Sequence, residues 1–388
     1  MKTTIHATAI VILSVSATLM VLSELITAQQ PGTRNTTAAS QSTEKPVEQI
    51  ARNIRVLNGM PQSQLYPTMR FMAASLGFQC GNCHVIKDGR INASLDDHPE
   101  KQTARRMIKM VMELNQTLGQ GDPVVTCYTC HRGERLPQRA PSLPLPARTS
   151  AAADVASNPL PSVNDILNKY FAAVGGTTAA DRITSCIITG TTTTPIGQTV
   201  AYEAEQMMPD KGDETFALQD VAGRCAGDSR CEYERVIGGG QGWLKSGGGV
   251  QELAGQQLND QKLSFPLFMI LKLKDQYAAF RVSGRDKIDG RDMFVLSAVR
   301  FDGKSEQLYF DVETGLLRRR VSYLRSPIAM IPQQVDFEDY REVDGLKLPF
   351  GITMSYVDAG SRPIVRKFAT IKLNVTLDAS KFQRPRSI

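Results

Sequence analysis

At 388 residues, 41% hydrophobic and 22% charged, the chain has the length for two domains and the make-up of a globular protein, which argues against a disordered or fibrous chain. Its net charge of +6 is spread without a long basic run, so nucleic acid is not an expected partner. Only 4 histidines are present, which leaves little for acid–base catalysis.

The first residues place Lys2 ahead of an apolar run from Ala7 to Leu22, then a more polar end closing on Ile26, Thr27 and Ala28. This is the order of a secretory signal peptide cleaved after Ala28, with an uncleaved anchor as the alternative. Both put the folded protein outside the cytoplasm, in the periplasm, free or attached to the inner membrane. Residues 29–45 are polar, small and Pro-containing, and predict a flexible leader.

Residues 46–140 hold the densest chemistry. "FQCGNCHV" gives Cys80, Cys83 and His84, and "TCYTCHRG" repeats the pattern as Cys127, Cys130 and His131. C-x-x-C-H reads first as covalent haem attachment. Two thiols three positions apart reach the two vinyl groups of one porphyrin, and the adjacent imidazole is delivered to the iron. The expectation is two haems c, with Cys80, Cys83, Cys127 and Cys130 forming thioethers and His84 and His131 as proximal ligands. A zinc site would use the four cysteines and leave both histidines without a role. A vicinal disulfide is the third reading.

Each motif follows a predicted helix. "PQSQLYPTMRFMAASLG" opens near Pro61, closes at Gly77, and puts Leu65, Met69, Met72, Ala73 and Leu76 on one face. "TARRMIKMVMELNQTLG" groups Met107, Met110, Val111, Leu114 and Leu118, with Arg105, Arg106, Lys109 and Glu113 opposite. The helices overlay with Met69 on Met107 and Met72 on Met110. Met69 is therefore the expected distal ligand of the first haem, and Met107 that of the second, with Met110 or His98 as alternatives. A single Met on an apolar face is more often core filler. Arg105, Arg106 and Arg132 are candidates to pair with propionates.

"YPTMRFMAASLGFQCGNCH", "TARRMIKMVMELN" and "VTCYTCHRG" together resemble the cytochrome c subunit of photosynthetic reaction centres, in its second pair of haem segments. The likeness covers residues 47–136. It implies Met69 and His84 on the first haem iron and His131 on the second. The family carries four haems and takes the last distal histidine from its first half. This chain has two motifs and lacks that half, so the resemblance leaves the second sixth ligand unassigned. It implies electron-carrier partners, periplasmic or membrane-bound, with a reaction-centre or respiratory complex among them.

Residues 141–160 are Pro/Ala/Ser-rich and predict a stiff linker. Residues 161–388 change in texture. "VNDILNKYFAAVGG" gives a helix with Val163, Ile166, Leu167, Tyr170, Phe171 and Val174 on one face, stopped by Gly175. β-rich runs then turn at Asp289-Gly290, Thr314-Gly315 and Asp344-Gly345, with a further helix near Phe265–Lys274. The texture resembles lipoprotein-carrier (LolA/LolB-like) domains, which implies a curved antiparallel sheet about a helix-filled apolar hollow, with a lipid or quinone-like tail as the ligand to test. Cys225 and Cys231 flank a short polar segment and predict a disulfide loop; Cys186 is the odd, buried thiol.

The expected fold is thus two domains, a mainly α multihaem cytochrome c domain and an α+β domain with a curved antiparallel sheet. The expected function is electron transfer. A peroxidase-like haem enzyme with an open second haem, and a redox-sensing binding module, are the competing readings.

Overall fold

The computed structural model describes residues 44–87, 90–119, 123–137, 140, 159–219, 230–246, 249–357 and 362–385. The expected signal peptide, nearly all of the leader, most of the linker and Cys225 lie outside the described residues. Residues 42–388 form one compact unit.

Before the linker the described chain is helical. Helix α1 spans Val47–Ile50 and α2 spans Gln62–Leu76, with Pro61 as N-cap and Gly77 as a left-handed C-cap at φ 66, as the Pro and Gly punctuation predicts. Helix α3 spans Pro99–Leu118, opened by His98 as N-cap and Pro99 at its first position. The second C-x-x-C-H itself forms α4, Cys127–His131. Between α2 and α3 lies a hairpin of β1 (Val85–Lys87) and β2 (Arg90–Asn92).

Helix α2 buries Thr68, Phe71 and Ser75, and α3 buries Arg105, Ile108, Val111 and Asn115. Neither buried face is the expected one: on α2 the expected Leu65, Met69, Met72, Ala73 and Leu76 are only half-buried while Thr68, Phe71 and Ser75 are enclosed, and on α3 Met107, Met110, Leu114 and Leu118 are exposed. Arg105 turns inward and Val111 leaves the Met stripe, because Asp96 waits under α3: Arg105 Nη1 donates to Asp96 Oδ2 at 3.0 Å, and Nη2 donates to the Asn53 carbonyl at 3.1 Å. A buried guanidinium with those partners is a structural brace, not a free propionate clamp.

After the linker, α5 (Val163–Ala173) begins with a reciprocal Ser162–Asp165 capping box and buries Ile166, Leu167, Tyr170 and Phe171, the face the spacing predicts. A short α6 (Thr177–Asp181) follows. Six strands then run as a meander: β3 (Ser185–Thr193), β4 (Thr199–Met207), β5 (Lys211–Gln219), β6 (Arg230–Gly238), β7 (Gln241–Ser246) and β8 (Gly249–Leu253). Helices α7 (Gly255–Lys262) and α8 (Pro266–Leu271) cross over to seven more: β9 (Tyr277–Ile288), β10 (Arg291–Arg300), β11 (Ser305–Asp311), β12 (Leu317–Ser326), β13 (Ala329–Val343), β14 (Leu346–Tyr356) and β15 (Ile364–Leu373).

All 13 strands form one antiparallel sheet in which β3 and β15 join the two meanders at the centre, with β8 and β9 as the edges. The turns Asp289-Gly290 and Asp344-Gly345 have positive φ at both residues, which is what a two-residue hairpin matching strand twist requires. Gly315 is needed for a second reason: a Cβ there would lie 2.8 Å from Lys169 Cγ of α5.

One apolar cluster joins residues of β3, β4, β10, β11 and β14 to α5 and α8. At about 4.8 Å per strand a flat sheet would hold its outer strands tens of ångströms apart, so a shared core requires the sheet to curl around those helices. All six residues of α8 are buried, and Tyr170 of α5 donates its hydroxyl to the Ile270 carbonyl at 2.7 Å. The hollow is filled by the chain's own helices. A helix apolar on every side is stable only when enclosed.

Two buried polar networks brace the two halves of the sheet. Glu214 accepts from Arg235, Arg366 and Tyr202; Glu306 accepts from Arg320, Arg300 and Tyr277. Burial pushes each carboxyl up, but the arginines more than offset it and hold both below the ordinary Glu value.

Candidate functional site

The second motif is held from three sides. The Thr126 and Thr129 side chains cap α4 reciprocally, with Thr129 N donating to Thr126 Oγ1 at 3.3 Å and Thr126 N to Thr129 Oγ1 at 3.0 Å. Asn115, buried in α3, clasps the backbone ahead of it: its Nδ2 donates to the Val125 carbonyl and its Oδ1 accepts from Val125 N, both at 2.8 Å. On the far side, Arg132 and Gly133 take positive φ, and Gly133 N donates to the Ser75 carbonyl at the end of α2 at 2.9 Å. Gly77 lies so close to the Gly133 carbonyl that a Cβ would collide with it.

This geometry orients His131. Its Nδ1 lies 3.1 Å from the Glu134 carbonyl oxygen. A carbonyl only accepts, so Nδ1 carries the proton and Nε2 presents a lone pair. That is the tautomer and orientation a ring needs to ligate a metal through Nε2. Cys130 is exposed and Cys127 half-buried; burial pushes the Cys127 thiol up to about 11.

The first motif has a different frame. Cys80–Asn82 form a single 3₁₀ turn capped reciprocally by Gln79 and Asn82, and His84 N donates to the Cys80 carbonyl at 3.0 Å. Gly81 packs against Ile86 of β1: a Cβ there would sit 2.8 Å from Ile86 Cδ1. The charges around this motif come from the first turn of α3. Burial first, then Glu100 and Cys80, raise the Cys83 thiol; burial first, then Lys101 and His98, lower His84, which favours the neutral imidazole. The Nδ1 atoms of His84 and His98 are both buried without a hydrogen-bond partner. His98 therefore belongs to the surroundings of the first motif.

Helix α3 thus influences both motifs: the charges of Glu100 and Lys101 act on the first, and Asn115 is hydrogen-bonded to Val125 ahead of the second. At 1.5 Å per residue those positions are about 22 Å apart along the helix.

The residues present fit haem. Met107, Met110, Leu114 and Leu118 form a stripe on α3 with Met107 and Met110 each 43% exposed. Tyr128 within the second motif, and Ile86 beside the first, are exposed too. An exposed apolar stripe along one helix face is costly in water and marks a place that something covers, which suits a flat apolar macrocycle. Of the expected distal ligands, Met107 and Met110 lie on that stripe. Met69 is half-buried on α2, whereas Met72 packs into the cluster of Val47, Leu57 and Met60. The four motif cysteines are free thiols, and no group of three or more His, Cys, Asp or Glu converges among the described residues as a Cys₄ zinc site requires.

Sequence reading missed Asn115, the Glu134 carbonyl and the Ser75–Gly133 bond. Asn115 carried a signal, being a polar side chain at a core position of α3; the two backbone groups carried none. Of the other cysteines, Cys186 is buried as expected. The Cys225–Cys231 disulfide lies outside the described residues.

The family described as Photosynthetic reaction centre cytochrome C subunit matches residues 16–206. Over these residues the chain is similar to the reaction-centre cytochromes. Cytochrome c-554 of Chloroflexus aurantiacus is 34% identical over 86 residues, 20% of each chain. The photosynthetic reaction center cytochrome c subunit of Thermochromatium tepidum is 30% identical over 106 residues, 26% of this chain and 25% of that one. The chain therefore spans only about a fifth to a quarter of the length of these relatives. Among solved structures, an outer membrane lipoprotein-sorting protein domain from Vibrio parahaemolyticus is 15% identical with a TM-score of 0.39, over 56% of this chain and 94% of that one. A LolA superfamily protein from Nitrosomonas europaea is 13% identical with a TM-score of 0.39, over 58% of this chain and 99% of that one.

Proposed function

We propose that this protein is an exported dihaem c-type cytochrome that accepts single electrons from one redox partner and passes them to another. The observation that carries the reading is the pair of C-x-x-C-H motifs, the second with His131 Nδ1 committed to the Glu134 carbonyl and Nε2 free. Cys80 and Cys83 tether the first haem and Cys127 and Cys130 the second. His84 and His131 would ligate the two irons, with Met69 as the second ligand for the first haem and Met107 for the second. Bound haem supplies a one-electron iron couple, and thioether ligation raises its potential. The chain's own residues do the rest: burial favours the neutral form of His84, Asn115 and the Thr126–Thr129 box hold Cys127 and Cys130 in one turn, and the α3 stripe offers apolar surface that would shield the macrocycle from water. The family similarity supports partners in a membrane-bound electron-transfer complex. A periplasmic location, free or anchored, follows from the signal-peptide reading.

The test is the visible and near-infrared spectrum of protein matured in an exporting host. The expected result is two covalent haems per chain, both low-spin, with Met69→Ala and Met107→Ala each removing one Met-to-iron band. A high-spin second haem in the wild type would replace electron transfer by a haem-enzyme reading, and no covalent haem would end both.

A further inference from the structure

We propose that the turn joining β12 to β13 is a wall of the second haem site, so that the sheet sets the surroundings of that haem and leaves the first alone. The proposal rests on the two-haem reading above.

Hairpin turns ordinarily face solvent. This one does not. Ser326 pairs with Ala329 at the base of the turn, and Ile328 in the turn is 0% exposed. The cluster that buries Ile328 consists otherwise of residues before the linker: Val47, Leu57, Met60, Ile108 and Val111. Next to it, Ala329 and Ile331 pack on Phe71 of α2. The sheet thus inserts an apolar tip between the helices that carry the motifs.

One motif cysteine lies against both clusters, and it is Cys127. Cys80 and Cys83 are in neither; the charged neighbours of Cys83 and His84 come from α3 and the loop before it. The asymmetry follows from where each motif sits. Cys127 opens α4, which is packed on the end of α2 through Ser75 and Gly133, and the Phe71 face of the same α2 receives the tip. A thioether leaves few rotatable bonds between Cα of Cys127 and the macrocycle, so the packing of that side chain positions the ring edge. Burial and local dielectric are direct levers on the behaviour of a bound haem. Ile328 and Ala329 are therefore positioning residues acting through Cys127.

The experiment compares matured wild type with Ile328→Ala, Ile328→Val and, as the control beside the first motif, Ile86→Ala. The readouts are haem content per chain, the paramagnetically shifted haem-methyl resonances of the ferric protein, and a redox titration. Resonances lost in Cys127→Ser/Cys130→Ser identify the second haem. The expected result is that Ile328→Ala shifts the second set and one of the two reduction steps, Ile328→Val shifts the same set less, and Ile86→Ala moves only the first set. With two haems per chain and native circular dichroism, Ile328 variants that move neither set, or move both alike, overturn the proposal. Should Ile328→Ala not fold, Ile328→Val is judged by the same criteria. Fewer than two covalent haems in the wild type would instead overturn the reading on which it rests.

Discussion

The two C-x-x-C-H motifs share a pattern and differ in what surrounds them. The first is a single 3₁₀ turn resting on a two-stranded hairpin, with His98, Glu100 and Lys101 of the α3 N-terminus as its charged neighbours. The second is a capped helical turn clasped by Asn115, tied to Ser75, and backed by apolar residues that include the tip of the sheet. The same five-residue chemistry is thus placed once near the charged groups of the α3 N-terminus and once against the apolar tip of the sheet. Since burial and hydrogen bonding tune a bound haem, the difference predicts two unequal sites.

The largest effects come from removing a tether set. Cys80→Ala/Cys83→Ala and Cys127→Ala/Cys130→Ala are each expected to halve haem content by alkaline pyridine spectra and to leave different residual spectra; identical residual spectra would break the comparison. Next is Gly77→Ala. It places a methyl against the Gly133 carbonyl at a residue with φ 66, so it separates α2 from the second motif at a cost of about 1–3 kcal/mol in chemical denaturation, with the second haem perturbed and the first unchanged. Asn115→Ala leaves the Val125 N–H and carbonyl without their side-chain partner and is expected to cost about 1–3 kcal/mol, again with changes confined to the second haem.

The smallest effect belongs to the brace under α3. A hydrogen bond from Arg105, aided by Asn53 and Lys101, holds Asp96 well below the ordinary carboxylate range. A depressed folded pKa gives stability that is present above the unfolded value of about 3.9 and is lost as pH falls through the folded one. Asp96→Asn should therefore lower the melting temperature at pH 7 and do so less at pH 3. Equal losses at both pH values would remove Asp96 ionisation from the account.

Local chemistry made much of this legible. Pro61 and Gly77 bracket α2, the Asp-Gly turns have the positive φ they were expected to need, and the α5 face is buried at the predicted positions. The misreading of Arg105 has a plain cause. On a helix wheel it is a charge to be solvated, and only Asp96, brought under α3 by the chain's return, supplies the partner that makes burial favourable. Ile328 carried a hint, an apolar residue at a turn where polar ones are usual, but nothing local says what covers it.

The sequence by itself pointed to haem chemistry and to the ends of several elements, because C-x-x-C-H spacing, capping residues and turn residues act over a few bonds. The tertiary structure alone decided which groups surround each motif: Asn115 on Val125, Glu134 on His131, and the β12–β13 tip against Cys127. Those contacts join residues distant in the chain or through backbone atoms, and neither leaves a periodicity to read.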